Sequence, residues 1–311
     1  MTPKLSMTLI TFAAQDPGSW HHLVERVRAA DAAGLDRMAL SDHIAFGENL
    51  EAYADPKSGG TAGGRQPTGP DGHWLDPLTT IAHLSAVTTT LRFTTNILIA
   101  ALRRPAVLAK MLSTIDVLSD GRIDLGVGVG WQREEYEACG LDFDDRGAQL
   151  DHTLDVLQTL WREQRASLDS DRLSFDAIHQ MPKPVQPGGV PIWVSGTVNA
   201  RSMRRLARFG AGWIPWGPDA ADLPTGIAKM REAVSAHDRD PADIEVVANL
   251  PVAIDDDGAV DWSATMDGVP ALVEAGATDF RAMLRLAPDA PDARERIAEM
   301  VGHFRDATGR A

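Results

Sequence analysis

Short apolar, β-branched runs alternate along this chain with longer stretches whose apolar residues recur at helical spacing. Residues 5–12 form the first such run, after Pro3, and predict a strand. Trp20, Leu23, Val27 and Ala30 then fall on one helical face, and Gly34 supplies the stop. Residues 36–41 predict a short strand ending in Asp42-His43, 76–89 a helix with Pro77 in its first turn, and 91–100 a strand. Pro105 opens a helix that places Leu108, Leu112 and Ile115 together and closes at Gly121. Residues 123–129 predict the next strand, and Leu150, Leu154, Leu157 and Trp161 stripe the helix after it. The second half repeats the rhythm, with strands over 191–195, 212–216, 244–254 and 278–286. Helices are predicted over 199–209, 223–237, 262–274 and 289–307.

Eight strands, each followed by a helix, predict an α/β fold of the (β/α)8 TIM-barrel type rather than an open doubly wound sheet. One domain spanning 1–311 accounts for the whole count. Two connections exceed simple turns, giving insertions after strand 2 and before strand 5. Residues 44–75 carry Gly-Gly at 59–60 and 63–64 and leave the C-terminal end of a strand, where barrel enzymes bind substrate, so a substrate lid is expected, with disorder in part of it equally compatible with the composition. Residues 164–190 carry Pro182, Pro184 and Pro187 and are expected to hold a small extra strand or hairpin.

Charge and composition narrow the function classes. A formal net charge of −14 argues against nucleic acid as the main partner, which needs a basic face. Cys139 is the one cysteine, which excludes an internal disulfide and a cysteine-based metal cluster. No apolar run is long enough to span a membrane, and residues 1–15 lack the pattern of a secretion signal, so a soluble cytoplasmic protein is expected. No metal-ligand spacing stands out. His21-His22 are adjacent, and Asp255-Asp256-Asp257-Gly258 lacks the downstream Glu of a calcium loop.

Candidate chemistry gathers at the predicted C-terminal ends of strands. Gly126, Gly128 and Gly130 leave backbone unshielded, which suits close approach of a flat or phosphorylated ligand and equally suits a crowded barrel interior. Asp42 and His43 could bind a polar ring edge or shuttle a proton, or could serve as a loop cap and an ordinary surface histidine. Asn96 is a polar residue among apolar strand formers and needs a partner. Ser195-Gly196-Thr197 before a helix offers an anion site or a plain N-cap by Thr197 or Asn199. Trp213 and Trp216, around Pro215, are either walls for a flat ligand or core packing.

Taken together, these pieces resemble the luciferase-like monooxygenase superfamily, and more closely its branch using the deazaflavin coenzyme F420. The resemblance rests on Ala29–Leu35, Ser41-Asp42-His43, Thr95-Asn96-Ile97, Arg104–Lys110, Leu118–Trp131 with Glu134-Glu135-Tyr136, Pro191–Gly196 and Gly210–Trp213. It runs from about residue 5 to 216 and weakens beyond 220. It implies a barrel with the cofactor at the C-terminal mouth, Asp42 and His43 on the deazaflavin headgroup, and a non-proline cis peptide at Asn96–Ile97 behind the ring. Gly128 and Gly130, with the polar residues Gln132, Glu134 and Tyr136 after them, would line the ribityl chain. Ser195, Gly196 and Thr197 would hold the phosphate, with Trp213 and Pro215 nearby. His43 is the implied proton relay.

The departures carry information too. Relatives that oxidise glucose 6-phosphate have a Glu directly after Gly-x-Gly, where this chain has Val129. They have a Trp five residues after the Asp, where this chain has Gly47. The expected activity is therefore F420-dependent hydride transfer to or from an organic small molecule that is not a sugar phosphate. An FMN-dependent two-component monooxygenase and a ligand-binding barrel without turnover are the alternatives. Relatives of this kind are often homodimers.

Overall fold

Eight parallel strands close into a barrel in strict chain order in the computed structural model, which describes residues 1–310. They are β1 (Lys4–Thr8), β2 (Arg37–Leu40), β3 (Arg92–Thr95), β4 (Ile123–Val127), β5 (Ile192–Gly196), β6 (Gly210–Pro215), β7 (Glu245–Leu250) and β8 (Asp279–Ala282). The last strand closes on the first through Lys4↔Asp279 and Met7↔Ala282. The (β/α)8 fold predicted from the alternation is the fold observed. The outer ring holds α1 (His22–Ala33), α2 (Pro77–Ser85), α3 (Pro105–Leu118), α4 (Arg133–Ala138), α5 (Arg146–Arg162), α6 (Ala200–Phe209) and α7 (Leu223–Ser235). It continues with α8 (Trp262–Met266), α9 (Val269–Ala275) and α10 (Ala293–Thr308). Among the described residues no helix is long and apolar enough to cross a membrane.

The barrel is filled rather than hollow. Toward its N-terminal end Arg37 Nε donates to Asp124 at 2.9 Å and its Nη1 donates to Asp279, with all three side chains buried. Arg37 also lies over the Trp193 ring, 4.5 Å from its centroid. Such buried charges persist only when paired and hydrogen-bonded. Closer to the mouth, Trp193, Ile214 and Val247 pack together under Ile97 and make an apolar floor.

Several strands are shorter than their apolar runs. The third ends at Thr95 rather than near 100, yet Leu98, Ile99, Ala100 and Ala101 stay buried in the loop. Leu98 keeps one parallel bridge to Val127 of β4, and the residues after it are buried as a turn at the mouth rather than as a strand. The first run likewise splits: β1 ends at Thr8, and Phe12–Ala13 pairs antiparallel with His73–Trp74 from the first insertion. The eighth strand ends at Ala282, and the helix expected over 262–274 breaks into α8 and α9 between Met266 and Val269. The second insertion holds the expected hairpin, Ala166–Asp169 against Ser174–Ile178.

Candidate active site

The end of β2 is the most heavily bonded corner of the mouth. Asp42 is buried and both its oxygens are occupied: Oδ2 accepts from the Ile99 N–H at 2.9 Å and from Arg103 Nη1 at 2.7 Å, and Oδ1 accepts from Arg103 Nη2 at 2.9 Å. Arg103 also reaches Asp76 Oδ2, the N-cap of α2, at 2.9 Å. Burial alone would lower the Arg103 pKa, but the two carboxylates outweigh it and raise it. Asp42 therefore ties the β2 end to the loop after β3, and a direct contact with a cofactor headgroup is not needed to explain it. His43, next along, is half-buried, with Nδ1 3.2 Å from Glu135 Oε2. Its ring centroid lies 4.4 Å from that of Phe46, 5.0 Å from Trp74 and 5.8 Å from Trp131.

The loop after β3 runs across the floor of the mouth. The Asn96–Ile97 peptide is cis, at the position the family resemblance implied. Asn96 finds its partners in the Leu40 carbonyl, to which its N–H donates at 2.6 Å, and in Arg281 Nη1, which donates to its Oδ1 at 2.7 Å. Arg281 is buried, and desolvation pushes its guanidinium down despite Asp279 nearby. Its Nη2 has no hydrogen-bond partner and lies 3.8 Å from Asp279.

The glycine-rich fourth strand has a local explanation. A Cβ on Gly126 would sit 2.0 Å from the Thr95 carbonyl oxygen, one on Gly128 2.9 Å from the Ile97 side chain, and one on Gly130 3.1 Å from Ile99. The three glycines thus face alternate residues of the chain leaving β3 and let it lie flush against β4. Gly128 and Gly130 were expected to line a cofactor chain, but the space their side chains would take is filled by Ile97 and Ile99. Tyr136 is fully buried behind this strand, its hydroxyl donating to the Val129 carbonyl at 2.6 Å. Gln132 is buried and donates to the Gly47 carbonyl at 3.3 Å, leaving its Oε1 without a partner. Glu134 packs against Gly47, where a Cβ would meet its Cγ at 2.5 Å, and its Oε2 has no partner. Each Gly-x-Gly is followed by an apolar residue, Val129 after Gly128 and Trp131 after Gly130.

Residues 44–75 lie over the mouth. Trp216 Nε1 donates to the Gly60 carbonyl at 3.0 Å, and Gly59 approaches Gly130 so closely that a Cβ would meet its carbonyl at 2.7 Å. The insertion also brings Phe46, Tyr53 and Trp74 to the site. Trp74 stacks on Phe12 with centroids 4.2 Å apart, and Tyr53 meets Trp131 at 5.3 Å. Together with His43 these rings wall one side of the mouth. Opposite them, Asn249 is exposed at the end of β7, level with Arg281 on β8.

At the ends of β5 and β6 the expected phosphate cup is partly filled by the protein's own groups. Ser195, Gly196 and Thr197 are half-buried at the mouth. Asn199 caps α6, its Oδ1 accepting from the N–H groups of Arg201 and Ser202. Asp219 Oδ2 accepts from the Val198 N–H at 2.7 Å. Trp213 is buried and donates from Nε1 to the Gly196 carbonyl at 3.0 Å; Pro215 is buried beside it.

Of the residues singled out from sequence, His43, Asn96, Ile97, Ser195, Gly196 and Thr197 thus share the mouth. Asp42, Gly128, Tyr136, Trp213 and Pro215 support it from behind, Gly130 and Glu134 sit under the insertion, and Gln132 is bonded to it. The sequence reading missed Glu135, Arg103, Arg281 and the rings of Phe12, Phe46 and Trp74. Glu135 was visible within Glu134-Glu135-Tyr136, but only the depth of α4 distinguishes it from its neighbour. Arg103 directly precedes the Arg104–Lys110 motif and Phe46 lies three residues past His43, yet no local spacing marks either, and Phe12, Trp74 and Arg281 lie far from the motifs.

The comparisons with known proteins agree with this fold. The family model for luciferase-like monooxygenases matches residues 5–311. An uncharacterized protein of Mycobacterium tuberculosis is 30% identical over 278 residues, covering 88% of this chain and 90% of its own. The F420-dependent glucose-6-phosphate dehydrogenase of Mycobacterium avium is 28% identical over 247 residues, covering 76% of this chain and 65% of its own. Among solved structures, an F420-dependent secondary alcohol dehydrogenase in complex with an F420-acetone adduct superposes with a TM-score of 0.76 over 98% of this chain and 100% of its own. At 16% identity that likeness speaks for the fold. With the motifs, the closed barrel and the family match in agreement, this chain belongs to the luciferase-like monooxygenase family.

Proposed function

We propose that this protein is an F420-dependent oxidoreductase acting on an apolar alcohol or carbonyl compound. The observation that carries the reading is His43: an imidazole at the end of β2, ringed by Phe46, Trp74 and Trp131, at the mouth of the barrel. The residues present fit a deazaflavin. Ile97 offers an apolar face at the floor, the unpartnered Gln132 Oε1 and Arg281 Nη2 are buried polar atoms close to the mouth residues, and Ser195 and Thr197 stand at the far rim. Bound there, the coenzyme would supply or accept the hydride. The chain's own part is to orient the substrate among the rings, exclude water under residues 44–75, and move a proton at His43 Nε2.

Asp219 bears on the choice of coenzyme. A carboxylate already sits on the Val198 N–H, and Asn199 takes two of the first-turn N–H groups of α6, those of Arg201 and Ser202. Such a cup suits the single charge of F420's phosphodiester better than the dianionic terminal phosphate of FMN. FMN-dependent oxygenation remains the alternative that the family's name carries, and a ligand-binding barrel without turnover the third reading. The aromatic wall, with no carboxylate after either Gly-x-Gly, supports an apolar substrate over a sugar phosphate. Incubating the protein and reduced F420 with a panel of aliphatic and aromatic aldehydes and ketones tests this, with the reverse assay on alcohols and on glucose 6-phosphate. Turnover confined to glucose 6-phosphate would overturn the substrate assignment.

A further inference from the structure

Glu135 is a fully buried carboxylate in no ion pair with an arginine or lysine, and among the described residues the one side chain within hydrogen-bond reach of it is His43. A buried anion of this kind is costly unless its oxygens are satisfied. Here Oε1 accepts from the N–H of Ile44 at 2.5 Å and from that of Ala45 at 3.4 Å, while Oε2 faces His43 Nδ1 at 3.2 Å. Both backbone donors belong to the chain leaving His43, so one carboxylate holds the imidazole and the turn that presents it.

We propose that Glu135 is the positioning residue that sets the tautomer of His43, an inference that rests on the role given to His43 above. An ionised carboxylate can only accept hydrogen bonds, so Nδ1 must carry a proton. In the neutral ring Nε2 then holds the lone pair, on the edge turned away from Glu135. That edge can take the hydroxyl proton of an alcohol as its C–H hydrogen leaves as hydride, and return it in the reverse direction. The flanking rings of Phe46, Trp74 and Trp131 restrict the imidazole to this orientation.

The Glu135→Gln substitution makes the idea sharp. The two backbone N–H groups demand an oxygen, so the amide oxygen stays on Ile44 and Ala45 and the NH2 turns to His43. Nδ1 must then accept, and the ring proton moves to Nε2. Nitrogen-15 NMR of the imidazoles at about pH 8, above the ordinary histidine pKa, reads the tautomer directly, with His43 assigned from the spectrum of H43N. The expected result is protonated Nδ1 in the wild type and protonated Nε2 in E135Q. A wild-type His43 protonated at Nε2, or an unchanged tautomer in a folded E135Q, would overturn the proposal. If E135Q does not fold, the wild-type spectrum alone decides. The measurement needs no coenzyme, so its failure leaves the F420 assignment standing, and failure of F420 to bind leaves the tautomer result standing.

Discussion

At Gly126 the neighbour of a new methyl group would be backbone, the Thr95 carbonyl at 2.0 Å, and backbone cannot swing aside. Gly126→Ala should therefore destabilise the fold by about 2–3 kcal/mol, the upper range for overpacking a core, seen as a lower urea midpoint. Gly140→Ala is a poor control because of its left-handed backbone, whereas Gly302→Ala, in the middle of α10 with open space around it, should be neutral or slightly stabilising. Arg103→Leu leaves Asp42 buried with one remaining donor, the Ile99 N–H, and removes the link to Asp76. The expected loss is about 3–5 kcal/mol, as for a buried pair broken on one side. An unchanged unfolding midpoint in this variant would mean that the Asp42–Arg103–Asp76 chain carries no load. Residues of this kind were the least legible from sequence. Asp42 was read as a headgroup contact from the family resemblance of the Asp-His pair, and its bonds to Arg103 and Ile99 show only in three dimensions.

Among the elements, the insertion 44–75 lies over the mouth. It is held by hydrogen bonds at Ile44, Gly47, Ser58 and Gly60 and approaches its neighbours closely at Gly59 and Gly47. Trp216→Phe keeps the ring but deletes the donor to Gly60. The expected cost is about 1 kcal/mol, with cleavage by a non-specific protease within 44–75 rising several-fold; an unchanged cleavage rate would show that this bond does not hold the insertion down. The barrel elements were legible because strand and helix periods differ and because Pro and Gly mark helix ends: Pro77, Pro105, Gly34 and Gly276 all stand where the pattern placed a boundary. The loop after β3 was not. Leu98 to Ala101 are as apolar as a strand, but past the single bridge of Leu98 to Val127 they are buried as a turn packed against α5 and α3.

For the whole molecule, stability against acid should depend on carboxylates held below their ordinary range. Asp31 is one of them. Burial pushes its carboxyl up, but the N–H groups of Thr90, Thr89 and Leu91 and the Thr90 hydroxyl outweigh this and hold it well below the usual range. Its folded pKa is depressed, so its contribution is complete above the unfolded carboxylate value, about 4, and is lost as pH falls below that toward the folded value. Asp31→Asn should lower stability at neutral pH and flatten the decline below pH ~4; parallel acid-unfolding curves for the two proteins would contradict this. At this scale the sequence reading was most complete, since the barrel count, the two insertions and the family resemblance all follow from residues in order along the chain. What it lacked was the inward arrangement of distant residues, such as Arg281 on Asn96, which only closure of the barrel creates.

The central claim is that this barrel is built for a deazaflavin. Titrating the purified protein with coenzyme F420 and, in parallel, with FMN, following the fluorescence of each, tests it most directly. The account predicts saturable F420 binding and FMN binding at least tenfold weaker. Tight FMN binding with no response to F420 would contradict it.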